Sequence, residues 1–119
     1  MNAYETIYIV KPTLSEEEIT KITDKIKALI EKDGGEIVGA DSFGKKRLAY
    51  EVRKEKRGIY LILHFRATPA ILLELEQSYR LSETIIKYLT IKISEDQLGK
   101  MIPVRDEKSF SPRARGGRY

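Results

Sequence analysis

Two helix-start signals, each following an extended apolar segment, constrain this chain more than any other feature. The first is Ser15-Glu16-Glu17-Glu18, an S-x-x-E capping box. In it the serine hydroxyl accepts from a free backbone N–H and the third residue after it reaches back. Three carboxylates also meet the positive end of the helix dipole there. The second signal is Thr68-Pro69, a capping hydroxyl followed by the residue best suited to a first helical position. Behind the first signal Ile19, Ile22, Ile26, Leu29 and Ile30 recur at helical spacing until Gly34-Gly35. Behind the second, Ile71, Leu72, Leu75 and Tyr79 form the apolar face until Ser82-Glu83-Thr84.

The segments around these helices read as strands. Residues 3–10 are rich in Tyr, Ile, Thr and Val, with Tyr4, Thr6, Tyr8 and Val10 on one face and Ile7 and Ile9 on the other. Residues 36–43 are a weaker strand, and 47–53 resume the extended pattern after Gly44, which marks a bulge or bend. Residues 54–58 read as a hairpin turn, 59–66 as a central strand, and Ile85–Ile93 as the last strand. The order is β-α-β-β-α-β. It predicts an α+β, ferredoxin-like split arrangement: a four-stranded antiparallel sheet, first and third strands central, with both helices on one face. Residues 1–93 form that domain. Residues 94–119 lose periodicity, carry Arg113, Arg115 and Arg118 without nearby acids, and read as a basic tail that is disordered on its own.

Composition narrows the function. The chain has 119 residues, enough for one domain, and no cysteine, which removes thiolate metal sites, disulfides and cysteine nucleophiles. Its longest apolar runs, 59–63 and 70–73, fall far short of the roughly 20 residues of a membrane helix, and no basic-then-apolar leader opens it. Cytoplasm is the expected compartment. The only histidine, His64, sits inside the strongest strand and reads as structural. Glu16, Glu17 and Glu18 diverge around a helix instead of converging on a metal, and no glycine-rich phosphate cradle precedes a helix. A ferredoxin-like acyl-phosphate hydrolase would need a glycine-containing loop with an arginine after the first strand, and an asparagine to hold water. This chain has Lys11-Pro12-Thr13-Leu14-Ser15 there, and its sole asparagine is Asn2. The reading is a binding protein with no catalytic residues, no metal, no cofactor and no small-molecule substrate.

Charge points to the partner. The whole chain carries +4, yet between residues 44 and 66 Lys45, Lys46, Arg47, Arg53, Lys54, Lys56, Arg57 and Arg66 face only Glu51 and Glu55, a local excess of six. Such a segment can neutralise phosphates, and Tyr50 and Tyr60 nearby can stack on bases or fill the core. The same lysines would also protect a sheet edge from aggregation. Arg57-Gly58 matches the start of an RNA recognition motif signature, but Ile59, Leu61 and His64 stand where its aromatics belong. Shape and phosphate contacts therefore fit better than sequence-specific reading of single strands.

Tyr4-Glu5, Pro12 and above all Gly44-Lys45-Lys46-Arg47-Leu48-Ala49-Tyr50 resemble the bacterial small-subunit ribosomal protein S-six family, with further likeness at Gly58-Ile59-Tyr60, Leu75-Glu76 and Tyr79-Arg80-Leu81. The resemblance runs across residues 3–93. It implies a structural, non-enzymatic component of the small ribosomal subunit that binds the central domain of small-subunit rRNA during assembly, as a heterodimer with ribosomal protein S-eighteen. On the matching positions it implies RNA-facing or interface roles for Tyr4, Lys45, Lys46, Arg47, Arg80, Lys87 and Lys92, to which Tyr50 is added for its place beside the basic run. Lys87 stands where many members have arginine, which keeps the charge but loses the planar fork. Arg113, Arg115 and Arg118 are added as tail contacts to rRNA or partner. Ile7 and Ile9, expected on the open sheet face, would be buried by a partner or by the ordered tail. The alternative reading is a stand-alone ferredoxin-like protein-interaction or regulatory domain whose charges only solubilise it.

Overall fold

A computed structural model describes the backbone of residues 1–52 and 55–100, and side chains over 1–42 and 57–100. The elements run β1 (Asn2–Val10), α1 (Glu16–Glu31), β2 (Glu36–Val52), β3 (Glu55–Ala67), α2 (Pro69–Leu81) and β4 (Ile85–Ile93), followed by a 3₁₀ turn at Glu95–Gln97. The four strands form one antiparallel sheet in the order β2-β3-β1-β4, so the first and third strands are central as expected.

Local chemistry sets the element ends. Ser15 Oγ accepts from the Glu18 amide at 3.2 Å while the Glu18 carboxylate accepts from the Ser15 amide at 3.0 Å. Hydrogen bonding from the Ser15 amide, and then from its hydroxyl, holds the Glu18 carboxyl below the usual carboxylate range. Gly34, at φ +92, ends α1, and the Gly35 amide returns to the Ile30 carbonyl at 3.0 Å. Thr68 caps α2, its hydroxyl accepting from the Ile71 amide.

Both helices cover one sheet face. Ile26 and Ile30 of α1 and Ile71, Leu72, Leu75 and Tyr79 of α2 pack on Tyr4, Tyr8, Leu61, Leu63 and Phe65. Polar atoms in this layer are paired: Thr6 Oγ1 is 2.8 Å from both the Tyr79 hydroxyl and Thr90 Oγ1, and the Tyr8 hydroxyl is 2.8 Å from Thr23 Oγ1. Leaving any one unpaired would cost about 1–3 kcal/mol. Burial pushes the Tyr8 phenol up to about 12. Lys32 and Glu74 tie the helices together at 3.0 Å.

The other face holds a second cluster made of strand residues alone: Ile7, Ile9, Tyr60, Ile62, Ile86, Leu89 and Ile91. The alternation that placed Ile7 and Ile9 on this face is correct, yet both are buried, at 1% and 0% exposure.

The expected turn over 54–58 needs correction, because β3 begins at Glu55 and β2 runs to Val52. The pattern misled because 54–57 is uniformly charged and polar. In this region β3 pairs with β2 only, since β1 ends at its Val10–Ile59 pair. Register shifts interrupt the β2–β3 ladder between Ser42 and Gly44 and between Arg47 and Val52.

Candidate nucleic-acid interface

Strand pairing divides the molecule. Up to Ile59 the strands belong to a four-stranded body; beyond it, β2 and β3 continue as a two-stranded ribbon. The ribbon begins where the basic run begins: Lys45 lies opposite Ile59, Lys46 opposite Gly58 and Arg47 opposite Arg57. Like charges at directly opposite positions of an antiparallel pair in general disfavour it. The Arg57 side chain is exposed. The backbone places Lys45, Lys46, Arg47 and Tyr50 on β2, an edge strand; their side chains lie outside the described residues.

Gly58 makes the junction between ribbon and body. It is buried, and a Cβ there would overlap Ile9 Cγ2 and approach the Val10 carbonyl and Ile86 Cδ1. A glycine is required because the neighbouring strand's side chain occupies the space.

The other expected contact residues fall elsewhere. Tyr4 is a correction: it is 2% exposed in the helix-side core, with its ring centroid 5.8 Å from that of Phe65. It leaves no ring face for a base. An aromatic near a chain terminus gave no local sign of this, although its place in the Tyr4-Thr6-Tyr8 row did. Arg80 is exposed in the last turn of α2. Lys87 and Lys92 lie on β4, the opposite edge from β2. Lys92 is opposite Tyr4 and so shares the helix-side face, whereas Lys87 is opposite Ile9 on the other face. Lys92 is exposed and Lys87 half-buried. The structure thus spreads Arg80, Lys87 and Lys92 away from the β2 cluster instead of gathering all of them in one patch. Arg113, Arg115 and Arg118 lie outside the described residues.

Arg66, a member of the basic run in sequence, is not available to a polyanion. Its guanidinium donates to Glu95 at 2.8 and 3.2 Å and to Glu36. The Arg66 charge holds the Glu95 carboxyl below the ordinary carboxylate range. His64 is buried, with Nε2 3.0 Å from Glu5 Oε1 and the Gly99 amide donating to Nδ1 at 2.7 Å. An accepting Nδ1 carries no proton, so Nε2–H donates to Glu5. Neither ring nitrogen faces a substrate, which agrees with a structural reading of this histidine. Sequence reasoning missed both networks because their members lie 29 to 59 residues apart. Among the described residues no three Asp, Glu or His side chains converge to hold a metal ion, and no helix is long and apolar enough to cross a membrane.

Comparison with known proteins adds independent findings. Residues 3–92 match the family model described as Ribosomal protein S6. Small ribosomal subunit protein bS6 of Helicobacter hepaticus is 47% identical over 92 residues, covering 77% of this chain and 67% of that protein. The bS6 of Desulforamulus reducens is 39% identical over 95 residues, 80% of this chain and all of the relative. Among solved structures, 30S ribosomal protein S6 from Thermotoga maritima superposes with a TM-score of 0.72 at 32% identity, covering 77% of this chain and 87% of that one. The C-terminal domain of the MgtC protein from Mycobacterium tuberculosis, at 15% identity and TM-score 0.56, shares the fold alone.

Proposed function

The chain belongs to the ribosomal protein S6 family, and from that premise we propose that it binds the central domain of small-subunit rRNA together with ribosomal protein S-eighteen. It is a structural component of the small ribosomal subunit, in the cytoplasm, and the family is one of ribosomal proteins and not of enzymes.

The observation that carries the rRNA reading is the ribbon. Lys45, Lys46 and Arg47 stand on one strand and Arg57 on the other, with Arg47 and Arg57 in register. A phosphate between them converts a repulsive pair into two charge-assisted contacts, and Arg suits that geometry because its fork is planar. Binding rests on charge and shape: among the described residues the helix-free face carries one aromatic, Tyr60, and it is buried. Arg80, Lys87 and Lys92 are separate, weaker contacts to rRNA or to the partner protein. Arg113, Arg115 and Arg118 extend the phosphate contacts along the chain's end; truncation at Ser109 should then reduce affinity and salt dependence, and unchanged values would remove the tail from the interface.

One ribbon offers few phosphate contacts, so the isolated chain binds rRNA weakly and the heterodimer tightly, the two half-sites reinforcing one another through effective concentration. Filter binding to a central-domain rRNA fragment, with and without ribosomal protein S-eighteen and at two salt concentrations, tests this directly. Tight binding that needs the partner and weakens with salt is the expected result. Equal affinity with and without the partner would refute the joint mode.

A further inference from the structure

We propose that His64 is a proton-operated latch: its neutral ring holds the Gly99 amide against the helix-free face of the sheet, and protonation of the ring releases it. This does not depend on the rRNA reading.

The ring is fixed from both sides. It is 1% exposed and stands on the same face of β3 as Tyr60 and Ile62. Opposite it on β1 is Glu5, whose Oε1 lies 3.0 Å from Nε2. From the other side the Gly99 amide donates to Nδ1 at 2.7 Å. A neutral imidazole has one donor and one acceptor, and here both are used. Among the described residues, the other charges on this face around the ring begin with Arg66, two positions along β3. Glu36 of β2 and Glu95 of the turn are both bonded to that arginine, and Asp41 of β2 stands opposite Ile62. β4 brings uncharged Ile91 opposite Glu5, with Lys87 further along opposite Ile9. Asp96 and Lys100, on either side of the turn's end, are exposed.

Protonation upsets only one of the two bonds. An imidazolium has two N–H donors and no acceptor, so its Nδ1–H and the Gly99 N–H would point at each other. Turning the ring over leaves the same conflict. At Nε2 the Glu5 carboxylate supplies the counter-charge, and that bond becomes charge-assisted. Glu5 therefore keeps the ring while Gly99 leaves. Gly99 is exposed, so water takes up its freed amide. The preceding turn stays in place. Its Ser94 hydroxyl accepts from the Gln97 amide at 3.3 Å and Gln97 Oε1 accepts from the Ser94 amide at 3.0 Å, and neither side chain titrates. Glu95 anchors the turn to Arg66, which holds the Glu95 carboxyl below the ordinary carboxylate range, so this anchor keeps its charge while a histidine titrates. The movement thus starts beyond the turn, at Gly99.

The experiment uses the full chain, isotopically labelled and taken from about pH 8 to about pH 5, the range in which histidine changes charge. Ring-nitrogen NMR shifts report protonation of the chain's one histidine. Hydrogen exchange of the Gly99 amide, corrected for its intrinsic pH dependence, reports the bond. Gly99 protection should fall about tenfold in the same step in which the ring charges, while amides of the helix-side core keep theirs. His64→Gln retains a donor for Glu5 and an acceptor for Gly99 without a titrating group, so its Gly99 amide should stay protected across the range. A ring that charges while Gly99 keeps its protection would overturn the proposal, and so would a ring that stays neutral throughout. Core amides losing protection in the same step would also overturn it, because the event would then be unfolding. Loss of Gly99 protection at the same pH in His64→Gln would overturn it by assigning release to another group. The wild-type readings decide even if the variant does not fold.

Discussion

The four-stranded body and the two-stranded ribbon that leaves it differ in kind. In the body, every β1 residue from Ala3 to Val10 except Glu5 is buried, hydroxyls are paired, and apolar clusters occupy both faces. The ribbon consists of the same two strands, β2 and β3, without neighbours on the β1 side, and its paired positions include Arg47 opposite Arg57. Isolated two-stranded ribbons are marginal in water. The same strand pair thus leaves the packed body at Gly58 and continues as the ribbon proposed to meet rRNA. If the ribbon meets rRNA as proposed, fold stability and polyanion binding rest on separate residues and can be perturbed separately.

That separation can be broken or sharpened by mutation. The largest effect belongs to the body: Phe65→Ala should destabilise by about 3–5 kcal/mol, read as a lower urea midpoint, because it empties the layer shared with Tyr4. Next is alkaline loss at Tyr8. Its phenol titrates near 10 unfolded and about 12 folded, so the folded state holds the proton that the unfolded state has released. Stability from this group is complete below pH 10 and falls by about 2–3 kcal/mol as pH rises toward 12. Tyr8→Phe should remove that part of the pH dependence in urea titrations. At the junction, Gly58→Ala should cost about 1–3 kcal/mol by forcing Ile9 aside, and should disturb both stability and binding. Smallest in stability is Arg57→Glu. It places an opposite charge across the register from Arg47 and should raise stability by up to about 1 kcal/mol while lowering rRNA affinity. A variant that lost both would show that the ribbon is structural.

Legibility in the sequence followed the range of the interactions. The capping box at Ser15 and the Thr68-Pro69 start were readable because their partners lie within three residues. Alternation along β1 assigned its two faces correctly, yet it could not say that the Ile7 and Ile9 face would be as buried as the helix-side one. The charged stretch from Lys54 to Arg57 looked like a turn because it offers no apolar alternation, yet β3 begins at Glu55. Tyr4 was assigned to an interface through the family resemblance, while its ring packs on Phe65. Arg66 looked like a free cation because Glu36 and Glu95 are 30 and 29 residues away. The basic cluster itself was plain in the run Gly44-Lys45-Lys46-Arg47, since charge needs no folding to be counted.

The ribbon's charges are tested most directly by the salt dependence of rRNA binding by Lys45→Ala/Lys46→Ala/Arg47→Ala in the presence of ribosomal protein S-eighteen. Each phosphate contact contributes about 0.7–0.9 to the slope of log K against log salt. If these three residues meet phosphates, the triple variant should lose about 2–3 in slope with its urea midpoint unchanged. An unchanged slope would contradict that role and move the rRNA contact off the ribbon.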